Sequence, residues 1–199
     1  MKTRESGMPD EAMWAGFFDP PTTLSKLALT REIGDVVEFG CGYGTFTLPA
    51  ARIVGGIVHA LDIDPSMVTC VAAKVKAAGL RNVRLEVRDI IREGTELADA
   101  TVDYAMMFNI LHAECPDVLL REAFRVLRPG GRLGIMHWNC DPSTPRGPSM
   151  AIRPRPEQCR QWAERTGFRL AGEPIVDLPP YHYGIVLARP ASGLQGVRT

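Results

Sequence analysis

The chain has 199 residues, 45% of them hydrophobic and 23% charged, and its 23 basic residues balance 23 acidic ones. That length can bury a core as one domain without disulfides or a structural metal. Zero net charge argues against steering toward nucleic acid or an anionic membrane, and no apolar run approaches the ~20 residues of a membrane helix.

Residues 1–21 are mixed in character, and the scattered charges of Met1 to Pro20 do not read as a signal peptide. Pro21 to Leu29 reads as a short amphipathic helix with Leu24, Leu27 and Ala28 on one face. Val36 to Phe39 then predicts a strand stopped by glycines, 46–54 a helix, and 57–61 a second buried strand. Asp64-Pro65-Ser66 is a helix start, because Asp accepts from free backbone N–H groups and Pro suits the first helical position. That helix runs from Met67 to Ala78 and stops at Gly79. Strands follow at 83–87, 102–108, 133–138 and 183–187, with a strand start at 169–172. Helices at 118–127 and 156–166 fall between them, the first closed by Arg128-Pro129-Gly130-Gly131. This alternation predicts an α/β sheet with helices on both faces. Asp141 to Pro156 holds five prolines and three arginines, and a loop of that length is usually functional or mobile.

The informative stretch is Val36-Val-Glu-Phe-Gly-Cys-Gly-Tyr-Gly-Thr-Phe-Thr-Leu, a strand running into Gly40, Gly42 and Gly44 and then into a helix. Glycines let a ligand lie against bare backbone, and the helix start adds free N–H groups. Glu38 would repel a diphosphate but suit a cationic amine. Asp62 stands ~20 residues on, at a strand end where an acid can bind ribose hydroxyls, and Asp89 lies just past the third strand. A nicotinamide dehydrogenase of the short-chain type would need Tyr and Lys four residues apart. The lysines at 2, 26, 74 and 76 and the tyrosines at 43, 104, 181 and 183 supply no such pair.

Four segments in order, Val37-Glu-Phe-Gly-Cys-Gly-Tyr-Gly, Ala60-Leu-Asp-Ile-Asp-Pro-Ser-Met, Asp103-Tyr-Ala-Met-Met-Phe-Asn-Ile-Leu-His and Leu127-Arg-Pro-Gly-Gly-Arg-Leu, resemble the class I S-adenosylmethionine-dependent methyltransferases. The likeness is to the broad bacterial small-molecule branch and covers roughly residues 30–190. It implies a Rossmann-like three-layer sandwich with a seven-stranded, mostly parallel sheet whose last strand is antiparallel. A single domain over 1–199 is expected, with a helical or lid-like segment at 1–30 and the core at 35–190. The cofactor implied is S-adenosylmethionine, leaving as S-adenosylhomocysteine. Gly40, Cys41 and Gly42 would hold its methionine portion and Glu38 its ammonium group. Asp62 would bind the ribose, Ile63 and Ile90 would flank the adenine, and Asp89 would accept its amino group. Asn109 would lie near the sulfonium. The implied reaction is in-line methyl transfer to an O, N, S or C atom of a small molecule. Two alternatives stay open: a non-catalytic cofactor-binding protein, and an RNA or protein methyltransferase.

Methyl transfer needs alignment more than a fixed catalytic set, yet a protic acceptor benefits from a base, and pKa matching favours His. Candidates are His112, just past the fourth strand, and His137, near the end of the fifth. Tyr181 and His182 are candidates for the substrate pocket. Leu178-Pro-Pro-Tyr looks like the Asn/Asp-Pro-Pro-Tyr signature of amino-group methyltransferases, but it comes ~70 residues late and Leu178 cannot accept an amine. Arg146 and Arg153, in the proline-rich loop, would suit an anionic substrate beside His112. Trp14, Phe17 and Phe18 either cap the cofactor or pack on the sheet. No His, Cys, Asp or Glu set has metal-ligand spacing, and none of the five cysteines pairs closely with another. Reduced thiols, a cytoplasmic setting and a small-molecule partner, with no nucleic acid or membrane, complete the expectation; the sequence leaves the oligomeric state undetermined.

Overall fold

A computed structural model describes residues 9–191; the first eight residues of the expected 1–30 segment, and so part of the Met1–Pro20 stretch, lie outside them. In chain order the elements are α1 (Glu11–Ala15), α2 (Pro20–Lys26), β1 (Val36–Phe39), α3 (Thr47–Ile53), β2 (Val58–Asp62), α4 (Pro65–Ala77) and β3 (Val83–Val87). They continue with α5 (Ile90–Glu93), β4 (Val102–Phe108), α6 (Pro116–Val126), β5 (Leu127–Trp138), α7 (Pro156–Thr166), β6 (Arg169–Leu170), β7 (Val176–Leu178) and β8 (His182–Ala188).

Central strands are apolar at nearly every position, which is the pattern of a sheet covered on both faces. Side chains alternate across it. From β4, Tyr104, Met106 and Phe108 join Leu24, Leu27 and Ala50 on one face. Ala105 and Met107 join Leu119, Ala123 and Cys159 of α6 and α7 on the other. The result is the three-layer sandwich expected. Strands lie in the order β3-β2-β1-β4-β5-β8-β6. The first five are parallel, and β8 runs antiparallel to both β5 and β6.

Several local expectations are corrected. The sheet has an eighth strand: β7 pairs Val176–Leu178 with His182–Gly184 of β8, beyond the two residues that β6 pairs. Three residues are too few for a period to show. Within the helical or lid-like segment expected at 1–30, α1 is capped by Asp10, which accepts from the Met13 N–H at 3.0 Å. Ala28 is not on the face of α2, since it turns the chain with φ 59°. Arg128-Pro129-Gly130-Gly131 falls inside the run assigned to β5 and bulges out of register, Val102 pairing Leu127 but Tyr104 pairing Arg132. The cap of α4 is as expected, with Asp64 accepting from the Ser66 N–H at 2.8 Å and Pro65 opening the helix.

Among the described residues, no helix is long and apolar enough to cross a membrane.

Candidate active site

β1 lies between β2 and β4, and sheet order reverses there, so the crevice beyond the carboxyl ends of these strands is where an open parallel sheet binds ligands. A cavity occupies that place. The structure brings to its wall every residue expected to meet the cofactor: Glu38, Gly40, Cys41 and Gly42 beside β1, Asp62 and Ile63 beside β2, Asp89 and Ile90 beyond β3, and Asn109 beyond β4.

The loop after β1 has to be glycine for steric reasons. Gly40 sits at φ +80°, and a Cβ there would come within 3.2 Å of Ile110 Cδ1. The N–H groups of Gly40 and Cys41 donate to Leu61 O at 2.8 and 2.9 Å, pinning the loop to the end of β2. Asp62 completes the join, accepting from the Gly42 N–H at 2.8 Å and the Asp64 N–H at 3.0 Å. Burial raises the Asp62 pKa and these N–H donors oppose the rise. Burial and the Glu38 and Asp62 carboxyls push the Cys41 thiol up, so this cysteine serves the loop as backbone and not as a nucleophile.

Glu38 is 3% exposed, and its carboxylate accepts from the Thr47 hydroxyl. Burial pushes its pKa up to about 8; the Thr47 hydrogen bond opposes the rise and Asp62 adds to it. A cationic group beside it would restore the charged form. Thr47 was not singled out in the sequence, although a hydroxyl at the first turn after a glycine loop is the signal that marks it. Asp89 caps α5, accepting from the Arg92 N–H at 3.3 Å. Asn109 has the left-handed φ of 55°, turning the chain out of β4. Asn109 lines the cavity, and its side-chain Oδ1 and Nδ2 are both buried without a hydrogen-bond partner. An unpaired buried amide carries the full desolvation penalty of its two ends.

Trp14 of α1 reaches the cavity wall. Phe17 and Phe18 instead pack into an aromatic cluster with Trp138, at 5.3 and 6.3 Å between centroids, and Phe18 also meets Phe46 at 5.4 Å. The segment is moored by the Lys74–Glu11 ion pair and by the Tyr43 hydroxyl donating to Pro9 O at 2.9 Å.

Of the four histidine and tyrosine candidates, only His112 lines the cavity. His137 is fully buried behind it, with His137 Nε2 3.3 Å from His112 Nδ1. His182 lies against Trp138, centroids 4.2 Å apart, and burial followed by the Arg153 charge lowers its pKa to about 3. Tyr181 stacks on the other side of this cluster, 6.4 Å from Trp138. Direct ligand contact by His137, Tyr181 or His182 is therefore not part of the observed cavity.

Arg153 corrects a sequence expectation. It is 8% exposed, and its guanidinium is spent on the loop that carries it. Nη1 donates to Asn139 O at 2.8 Å and to the Thr144 hydroxyl, Nη2 to Arg146 O at 3.1 Å and Pro148 O at 2.8 Å, and Nε to Pro148 O at 3.1 Å. Those five bonds match the five N–H donors of the group, so Arg153 has none left for a substrate. Arg146 contributes its carbonyl to this clasp and does not line the cavity. Among the described residues no group of three or more His, Cys, Asp or Glu side chains could hold a metal ion.

Residues 36–131 match the model of a family described as a methyltransferase domain. Nocamycin O-methyltransferase of Saccharothrix syringae is 36% identical over 128 residues, which is 63% of this chain and 45% of that protein. Over these segments the chain is similar to S-adenosylmethionine-dependent methyltransferases. Aklanonic acid methyltransferase of Streptomyces sp. is 32% identical over 102 residues, covering 50% of this chain and 46% of the other. The chain thus spans a little under half the length of these curated relatives. A solved S-adenosylmethionine-dependent methyltransferase from Aquifex aeolicus superposes with a TM-score of 0.78 at 26% identity, over 90% of this chain and 94% of that one.

Proposed function

We propose that this methyltransferase domain moves a methyl group from S-adenosylmethionine to an O, N, S or C nucleophile of a small molecule by in-line displacement. The observation that carries the reading is the cavity beyond the strand ends that gathers Glu38, the 40–42 loop and Asp62 on one wall. These residues suit a ligand with an ammonium at one place and hydroxyls at another. S-adenosylmethionine supplies an electrophilic methyl carried on a sulfonium. Glu38 and the 40–42 loop would hold its methionyl part, Asp62 its ribose, and Ile63, Asp89 and Ile90 its adenine, while Asn109 satisfies its amide against the methionyl end. Alignment and exclusion of water are then the protein's main contribution. The names of the nocamycin and aklanonic acid relatives support a small-molecule acceptor. A single domain in the reducing cytoplasm, with its five cysteines as free thiols, belongs to the same reading.

Calorimetry with S-adenosylhomocysteine tests it. Binding to the wild-type protein is expected, and Asp62→Ala should weaken it by at least tenfold, or about 1.4 kcal/mol. No binding to folded wild-type protein overturns the reading, and an unchanged affinity in the variant overturns the ribose assignment.

A further inference from the structure

Among the described residues β3 stands at one end of the sheet and pairs only with β2. Two flanking bonds show which of its backbone groups that pairing uses. The Val58 N–H donates to Asn82 O at 2.8 Å, and the Arg88 N–H donates to Asp62 O at 2.7 Å. Backbone groups two residues apart on a strand point the same way, so the even-numbered residues from 82 to 88 turn theirs toward β2. Val83, Leu85 and Val87 turn theirs to the open edge. Among the described residues, no backbone bond from a turn, loop or cap reaches those three.

Such an edge is a template for another strand unless charge or shape blunts it. On one face of β3, Val83 and Leu85 pack against the cluster of Ala60 and Val71, and Val87 is 47% exposed. Arg84 and Glu86 share the other face. Arg84 is exposed, and Glu86, with its side chain 40% exposed, accepts from Arg88 Nη2 at 3.0 Å. Opposite charges thus stand one residue to either side of Leu85.

We propose that a second copy of this chain pairs with β3 edge to edge, antiparallel and centred on Leu85, to form a weak homodimer. A two-fold axis there makes the contact self-complementary. Leu85 meets the partner's Leu85, and Val83 meets the partner's Val87, as hydrogen-bonded pairs that each exchange two N–H···O bonds. The groups that do so are the ones the monomer turns outward. Arg84 then lies opposite the partner's Glu86 at a non-hydrogen-bonded pair, the kind in which side chains come closest, about 4.5 Å between Cα atoms. Opposite charges so placed attract, and like charges repel.

The same charges reject the neighbouring registers. A slip of two residues one way sets Arg84 against the partner's Arg84. A slip the other way sets Glu86 against the partner's Glu86 and Arg84 against the partner's Arg88. A slip of one residue would oppose outward groups with groups already bonded to β2. Five residues a side make a small contact, so the association is transient and not obligate. It is independent of the methyl-transfer reading.

Sedimentation velocity over a dilution series from about 1 μM to about 1 mM tests the proposal. Wild-type protein is expected to pass from monomer to dimer across that range. Arg84→Glu sets carboxylates face to face and is expected to weaken association by about tenfold or more. Combining Arg84→Glu with Glu86→Arg exchanges the two charges and is expected to restore the dimer, which damage to the strand would not. Val87→Pro removes an outward N–H at an exposed edge position where proline is tolerated, and is expected to leave only monomer. Wild-type protein that stays monomeric throughout overturns the proposal. A dimer that survives both Arg84→Glu and Val87→Pro unchanged overturns it as well, by placing the interface elsewhere. The wild-type and charge-exchanged proteins decide the matter even where the proline variant does not fold, and S-adenosylhomocysteine binding is expected to be the same in all of them that do.

Discussion

The hydroxyl of Tyr104 occupies the space where a side chain on residue 134 would begin. From there it donates to Leu27 O at 2.7 Å, tying β4 to the end of α2 across the sheet face. Residue 134 of β5 is thus glycine because it must pass beneath a tyrosine of the neighbouring β4, and both residues lie in the interior.

Gly134→Ala should lower stability by about 1–3 kcal/mol, the usual range for overpacking a core. Tyr104→Phe removes the atom in the way, so the double variant should lose less than the sum of the two single ones. Urea unfolding of the four proteins measures this, and strict additivity would contradict the arrangement.

Glu38 predicts a pH dependence of stability in the ligand-free protein. Its carboxyl is raised from about 4.5 unfolded to about 8 folded by burial, so between those values the folded state binds the extra proton. Stability from this group is complete below the unfolded pKa and lost as pH rises through the folded one. The part-buried His59 and His112 and the buried His137 and His182 have lowered pKa values and act in the opposite direction, but only up to the ordinary imidazole value near 6.5. From pH 7 to 8.5 the melting temperature should therefore fall, and Glu38→Gln should flatten that slope. A slope identical in both proteins would place the titration elsewhere.

What was legible in the sequence is what local chemistry writes into it. The glycine loop, the acids at strand ends, the Asp64-Pro65 helix start and the long proline-rich loop all carry their signal within a few residues. Distant pairings do not. The His112–His137 contact needs the β4–β5 register, and Thr47 meets Glu38 only after the chain has turned through the loop. Arg153 looked available for a substrate because its acceptors are chiefly backbone carbonyls, of Asn139, Arg146 and Pro148, which have no signature in a sequence. The three residues of β7 pair only because β8 offers an open edge.

Arg153→Gln should loosen the segment it clasps. Hydrogen bonds to a charged group contribute about 1.5–3 kcal/mol each, so losing most of five should both destabilise the protein and expose the loop. Amide exchange and limited proteolysis across 141–152 should accelerate, while affinity for S-adenosylhomocysteine stays within about twofold, a shift below ~0.5 kcal/mol. An unchanged exchange pattern would return Arg153 to the substrate.

Tyr43 gives the glycine turn a second mechanical duty. It stands between Gly42 and Gly44, its hydroxyl holds Pro9 O, and its own carbonyl accepts from Lys74, which also grips Glu11. The turn beside the cavity is thereby the mooring post of α1, whose Trp14 lines one side of that cavity. Floor and cover are fastened through one residue.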